Sequence, residues 1–397
     1  MPPKWTDYIT FYVANYFAHA ASLVGRPGES WPETVLAVTC ALFLPGSGAL
    51  RALRSLLAGA AFSTDELERA ARAGALCTVM HKSNALRWFN QSRPSLWRQR
   101  TFVGNGFRMV PHGRKVHGRC VVPQDHYLVE LPPNTPLKAY LTGAAATGID
   151  TDAPAPAVGE PRTSDEKPRL AYTHNIPKIL VGLFQVVWGT LTLYKSRGSQ
   201  IELYGYAAFG LSAAPFVFMS CVNIVMALVT PEYPTMYLVH CPDMDRVAEN
   251  NRGLDDVAGT FEGIIAAIDT EVPGVRVHAD PLFFGGPLFL PYIIGYLVTV
   301  CSPLAIVGGL SRFKAGDWSS SSDRGWMMSW LVVGAASSLF VRVLYGHAFY
   351  GETAARGGAN FLCVLLFLVP LWIPAVGGMV TVGKMLKTYG ICTRLSD

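Results

Sequence analysis

The sequence predicts an all-α, polytopic integral membrane bundle of about seven spans, or eight, with a polar insert between the second and third. Three observations predict it. Half of the 397 residues are hydrophobic and 15% are charged, against roughly one quarter charged in a soluble domain. The apolar residues are bunched into runs near the ~20 residues that a helix needs to cross a hydrocarbon core. Helix breakers interrupt several of those runs, which is tolerated where neighbouring helices, polar side chains or water satisfy the freed backbone.

Taken in order, spans are expected near 8–24, 34–50, 178–194, 203–229, 285–310, 326–345 and 360–383. The first run lacks the basic leader and small-residue cleavage site of a signal peptide, so it is read as a helix that stays in the chain. The breakers are Leu44-Pro45-Gly46-Ser47-Gly48, Pro215, Pro287 with Pro291 and Pro303, and Pro370 with Pro374. Three regions follow: an N-terminal membrane hairpin over 1–58, a basic polar insert over 59–175 with a flexible linker at 151–169, and a main bundle over 176–397 that includes an acidic loop at 230–280.

Residues 51–138 hold fourteen Lys/Arg against five Asp/Glu, whereas 230–280 hold ten acidic residues against three basic ones. Arg51 and Arg54 beside the second span put the insert on the cytoplasmic side. Seven spans place both loops on one side and send Lys384 and Lys387 to the other, a conflict that an eighth span or a re-entrant segment removes. Ser63-Thr64-Asp65-Glu66, followed by Leu67, Ala70 and Ala71, reads as a capped amphipathic helix on the membrane surface.

Several chemistries lose support. Eight scattered cysteines without a CxxC pair suggest neither zinc nor a disulfide framework. The histidines form no closely spaced boxes, and no P-loop, GxSxG, HExxH or CxxCH occurs. No metal and no cofactor is expected. The basic insert carries no nucleic-acid fold signature, so lipid headgroups are its counter-surface. The acidic Asp243-Met244-Asp245, Glu249 and Asp255-Asp256 could hold magnesium for a diphosphate, but a lone DxD reads first as a solvated surface.

Candidate functional residues sit at the helix ends. On the first helix Tyr12, Asn15 and His19 share one face, with Asp7 before them. A tight turn then returns Glu29 and Glu33 to the membrane boundary. Glu202 and Glu232 bracket an aromatic, small-residue-rich segment containing Tyr206, Phe209, Asn223 and Tyr233. A carboxyl group in apolar surroundings has its pKa raised and suits general acid work, and aromatic faces stabilise a cation. The same residues equally suit interhelical hydrogen bonds and an interfacial tyrosine belt. Arg342, His347 and Glu352 form a further cluster at the end of the sixth span.

Thr6-Asp7-Tyr8, Asn15-Tyr16, Ala18-His19-Ala20, Pro27-Gly28-Glu29 and Leu44-Pro45-Gly46-Ser47-Gly48 together resemble a family of fungal multi-pass membrane proteins. The stretches Tyr204-Gly205-Tyr206-Ala207-Ala208-Phe209-Gly210 and Pro231-Glu232-Tyr233-Pro234 are similar to the same family, which looks related to transmembrane terpene cyclases of meroterpenoid pathways, of the macrophorin and ascofuranone type. The resemblance implies a secondary-metabolite isomerase in the endoplasmic reticulum or another endomembrane. Such an enzyme protonates an olefin or epoxide on a hydrophobic, prenylated small-molecule substrate dissolved in the bilayer, without metal or redox cofactor. The acids Asp7, Glu29, Glu33, Glu202 and Glu232 are chosen from membrane position. Two other classes stay open: a transporter or channel, since broken helices also build substrate paths, and a membrane scaffold whose cytoplasmic insert binds a partner.

Overall fold

The computed structural model describes residues 4–81, 108–111, 113–123, 125–133, 135–139, 169–250, 260–268, 288–350 and 358–389. Residues 151–168 of the expected linker at 151–169, the Asp255-Asp256 pair and Glu352 lie outside the described residues, as does the side chain of His347.

The chain opens with helix α1 (Trp5–Tyr12), which runs through a π-helical stretch (Val13–Phe17) into α2 (Ala18–Ala21). A second unit is α3 (Trp31–Phe43), a 3-10 turn at Pro45–Gly48, and α4 (Ala49–Ala58). After α5 (Glu66–Arg72) come α6 (Ile176–Ser196), α7 (Ser199–Tyr204), a 3-10 turn at Phe209–Ala213 and α8 (Ala214–Val229). Helix α9 (Pro242–Asn250) precedes α10 (Phe289–Ser311), α11 (Ser321–Tyr350) and α12 (Gly358–Tyr389).

Among the described residues, four helices are long and apolar enough to cross a membrane: Ile176–Ser196, Phe209–Val229, Phe289–Ser311 and Leu366–Tyr389. Length and composition thus support four of the about seven expected spans. The first expected span is helical in pieces of 8, 5 and 4 residues. The second breaks at Leu44, because Pro45 and two glycines end a helix of 13 residues. Helix α11 is continuous over 30 residues but carries Asp323, Arg324 and Arg342. Side chains such as Leu180, Leu183, Phe184, Val187 and Leu191 of α6 remain exposed, a band of apolar surface that fits contact with lipid.

The all-α expectation is corrected by a six-stranded sheet of order β2-β3-β1-β5-β6-β4. Its strands are β1 (Leu76–His81), β2 (Arg108–Met109), β3 (His126–Glu130), β4 (Leu137–Ala139), β5 (Tyr237–His240) and β6 (Ile264–Ile268). The basic insert supplies four strands and the acidic loop two, and β1 pairs in parallel with β5, Leu76 opposite Tyr237. Both polar segments thus form one body on one end of the bundle. Helix α5, capped by Asp65 accepting the Glu68 N–H at 3.1 Å, buries Leu67, Ala70 and Ala71 against one face of this sheet. It packs on protein rather than on the membrane surface that its pattern suggested. On the other face, Cys77, Val79 and Leu238 meet Met244 of α9. A parallel centre covered on both sides is the usual condition for such strands.

The two ends of the bundle are marked by cross-contacts. At the sheet end, Arg114 meets Glu33 at 3.3 Å, Arg54 meets Glu130 at 3.4 Å, and Thr173 bridges Glu232. At the far end, Gly205 bridges Ala315, and the Tyr204 hydroxyl lies 3.0 Å from Thr388 Oγ1. Between them lies an aromatic core in which Tyr16 touches Phe11, Phe216 and Trp330.

Candidate functional site

The turn after α2 is fixed by backbone that only glycine fits. Gly28 has φ +62°, and a Cβ there would stand 2.4 Å from the Lys115 carbonyl. The Lys115 N–H donates to the Gly28 carbonyl at 2.9 Å, and the Gly28 N–H donates to the Tyr233 carbonyl at 3.4 Å. This turn is clamped between the sheet body and the Pro231–Pro234 segment. Its consequence is that Glu29 and Glu232, far apart in sequence, converge on Gly25. Glu29 Oε2 and Glu232 Oε1 lie 3.5 and 3.7 Å from the position a Gly25 Cβ would take.

The two carboxylates are held differently. Glu232 accepts from the Gly25 N–H at 2.6 Å, from Asn175 Nδ2 at 2.5 Å and from Lys178 Nζ at 2.9 Å. Its backbone is pinned by two hydrogen bonds to Thr173, each 2.9 Å. Burial pushes its pKa up, but the hydrogen bonds from Lys178 and Asn175, the Lys178 charge and the Gly25 N–H outweigh that and hold it below its ordinary value. Glu232 is a fixed anion. Glu29 accepts only the Arg26 N–H, at 3.0 Å on Oε2, and its buried Oε1 has no hydrogen-bond partner among the described residues.

Both carboxylates line a cavity of about 400 Å³. Its lining combines the charged side chains Arg26, Arg51 and Lys178 and the two acids with the apolar Ala20, Leu23, Ala37 and Val38. Val35 and Val38 are 49% and 40% exposed, so this wall continues onto the apolar outer surface. The volume is within the range of small-molecule sites, roughly 300–1,000 Å³. An apolar chain and a polar head both have a place in it.

The other expected residues fall into two further groups. Glu33 lies next to the cavity but is fully buried and committed, accepting the Ser30 N–H at 3.1 Å and pairing with Arg114. It closes a helix start and anchors the sheet body. Asn15, His19 and Asn223 form a buried polar ladder inside the bundle. His19 Nδ1 lies 3.0 Å from Ser220 Oγ, Ser220 donates to Gln185 Oε1, Gln185 Nε2 donates to the Asn15 carbonyl at 2.9 Å, and Asn223 Nδ2 donates to Ser22 Oγ at 3.4 Å. These are interhelical bonds of the kind that hold membrane helices together.

At the far end stand Asp7, Tyr12, Glu202, Tyr206 and Phe209. Asp7 accepts the Lys4 N–H at 2.8 Å, and the Tyr12 hydroxyl donates to the Met379 carbonyl at 2.6 Å. Glu202 is exposed, and Phe209 packs on Phe11 and Tyr389. Tyr206 borders a void of about 20 Å³, room for about one water. Only Glu29, Glu232 and Tyr233 of the expected set share the large cavity.

Arg26, Lys178 and Asn175 were not among the expected site residues. Lys178 had a signal: a cation in the first turn of the apolar α6 opposes the helix dipole, so it demands a carboxylate nearby. Among the described residues no group of three or more His, Cys, Asp or Glu side chains is arranged to hold a metal ion. Comparison of the chain with protein-family models, curated proteins and solved structures finds no match.

Proposed function

We propose that this protein is a membrane-bound terpene cyclase, which protonates an olefin or epoxide of a prenylated substrate held in the Glu29–Glu232 cavity. The observation that carries the reading is Glu29 Oε1, a buried carboxyl oxygen without a hydrogen-bond partner among the described residues, on a cavity lined by both charged and apolar side chains. Native structures pair such oxygens almost without exception, so its partner is a proton or the substrate.

In this reading the Glu29 proton adds to an alkene carbon or to the epoxide oxygen, and a neighbouring alkene π pair forms the new carbon–carbon bond. The fixed Glu232 anion and the Tyr233 ring face the resulting cation. Loss of a proton from the final cation forms the last double bond and restores Glu29, so the net change is an isomerisation. The chain's span pattern extends the reading: α1 to α2, α6, α8, α10, α11 and α12 each run between the two ends of the bundle, and α3 with α4 forms a re-entrant hairpin at the sheet end.

Microsomes carrying this chain alone, given a farnesylated phenol or its epoxide, should yield cyclised isomers of unchanged mass by mass spectrometry and NMR. Glu29→Gln keeps an acceptor for the Arg26 N–H but has no carboxyl proton, so turnover should fall at least about 100-fold. Glu202→Gln, at the exposed far end, should leave turnover unchanged. Unreacted substrate with folded protein rejects the cyclase reading. A transporter is the second reading, favoured by the break at Pro45–Gly48 between two short helices; uptake of the same substrate into sealed vesicles without conversion would establish it.

A further inference from the structure

We infer that the end of the bundle remote from the sheet body is a binding surface for phosphoinositide headgroups, whose phosphate monoesters lie in the leaflet beside it. This surface is separate from the Glu29–Glu232 cavity and stands at the opposite end of the helices.

The turn that follows α10 is the centre of this surface. Arg312 and Phe313 are both left-handed, each at φ 52°, a conformation that is uncommon for residues other than glycine and clusters at functional sites. It folds Phe313 back over Gly308, where a Cβ would stand 2.3 Å from the ring, and leaves Arg312 and Lys314 exposed. The turn is also rigid. The Lys314 carbonyl accepts the Tyr206 N–H at 2.9 Å, and the Trp318 N–H donates to the Leu203 carbonyl at 2.8 Å. Glycine makes that approach possible: a Cβ on Gly205 would stand 2.1 Å from the Lys314 carbonyl oxygen, and one on Gly316 2.3 Å from that of Leu203. Cations held on such a fixed turn lose little freedom when a headgroup binds.

Two further pairs of exposed cations flank the turn, Lys195 and Arg197 where α6 stops and Lys384 and Lys387 near the end of α12. Helix α7 joins them: it follows α6 directly, and its Tyr204 and Ser199 hydroxyls meet those of Thr388 and Tyr389. Among the described residues none of the six cations is in an ion pair. Of the acids at this end, Asp323 accepts the Ser320 hydroxyl and Asp7 the Lys4 N–H, which leaves Glu202 and Asp317 exposed. A helix dipole calls for a cation within its last turn. That accounts for Lys195 and Lys387, but Arg197, Arg312 and Lys314 lie beyond the last helical residue. An anion outside the protein completes them. The cations come in close-set pairs, and a phosphate monoester carries about −1.5 to −2 charges at neutral pH, so one monoester matches one pair. Tyr194, Phe313 and Trp318 are exposed beside them, aromatic anchors that hold a helix end at headgroup level, where basic clusters recognise such lipids.

Equilibrium binding to the purified full-length chain in a neutral detergent tests this with the dioctanoyl forms of phosphatidylinositol bisphosphate and phosphatidylcholine. A basic residue beside an anionic lipid surface is worth about fivefold in affinity, so the two cations of the turn predict a preference of at least about tenfold for the bisphosphate. Arg312→Gln with Lys314→Gln should remove most of that preference. Arg312→Lys with Lys314→Arg should keep it, which separates lost charge from a lost fold. Arg119→Gln with Arg246→Gln, which takes two exposed cations from the sheet body, should keep it too. Equal affinity for the two lipids overturns the inference, as does an equal loss in the far-end and sheet-body glutamine variants or a loss in the charge-preserving one. Inositol trisphosphate alone binding as tightly as the lipid would assign the surface to a soluble phosphate ligand and overturn it as well.

Discussion

Gly25 is the point at which two acids of opposite character meet. Glu232 has every oxygen bonded and a cation 2.9 Å away, whereas Glu29 keeps one buried oxygen without a hydrogen-bond partner among the described residues. The difference has a pH signature. The Glu232 carboxyl titrates below its ordinary 4.5, so the stability it contributes is complete above that value and is lost as pH falls through the lower folded value. Melting of the wild type in detergent should therefore exceed that of Glu232→Gln near neutrality, and the gap should narrow as the pH drops below 4.5. A gap that stays constant down to pH 3 would show that Lys178 and Asn175 do not stabilise the ionised form. At this scale the sequence was partly legible. Pro231-Glu232-Tyr233-Pro234 marked an acid at a helix end, but the raised pKa expected of it from apolar surroundings is reversed by Lys178, Asn175 and the Gly25 N–H. Nothing in the order of residues announced that Gly25 would donate to it, because that bond spans 207 positions and depends on how the Gly28 turn docks on Lys115.

The α3–α4 unit explains why breakers and charges in the sequence disagreed about topology. At ~1.5 Å per residue, α3 with 13 residues and α4 with 10 reach about 20 and 15 Å, and neither spans a core of ~30 Å. Both open ends meet the sheet body, through Glu33 with Arg114 and through Arg54 with Glu130. The tip is locked at depth: a Cβ on Gly46 would stand 2.3 Å from the Ala335 carbonyl and 2.6 Å from that of Gly334, so the turn needs glycine for backbone to touch backbone. The run at 34–50 looked like a span because its length and apolarity were right, and the Leu44–Gly48 breakers looked like a kink. Only the return of Arg51 and Arg54 to the starting side tells a kink from a reversal. In a cysteine-depleted chain, Trp31→Cys and Phe62→Cys should react with an impermeant maleimide added to the same side of sealed vesicles, and Ser47→Cys should react from neither. Labelling of positions 31 and 62 from opposite sides would make the hairpin a true pair of spans.

For the whole molecule, the helices were legible and the sheet was not. Long apolar runs identify themselves over 20 residues, whereas β2 and β4 have 2 and 3 residues and β5 borrows its partners from a segment some 160 positions away. Alternation over so few residues does not separate strand from loop. Joining the basic insert to the acidic loop also changes the orientation expected from charge. The rule that Lys and Arg stay cytoplasmic is read from short loops and span ends, not from long translocated domains, and the short connections at 197–208 and 312–320 lie at the far end. There Lys4, Lys195, Arg197, Arg312, Lys314, Arg324, Lys384 and Lys387 stand against Asp7, Glu202, Asp317 and Asp323. By that rule this excess predicts the far end in the cytoplasm and the sheet body across the membrane, opposite to the placement drawn from Arg51 and Arg54. The sequence carries its own reporter: Asn90-Gln91-Ser92 within the insert is an N-glycosylation acceptor, and the modifying enzyme works only in the lumen. Expressed in yeast, the chain should shift in mobility on endoglycosidase treatment, Asn90→Gln should remove the shift, and a tag after Asp397 should be digested by protease added outside intact microsomes. An unshifted chain with a protected C-terminal tag would return the sheet body to the cytoplasm and with it the scaffold's access to soluble partners.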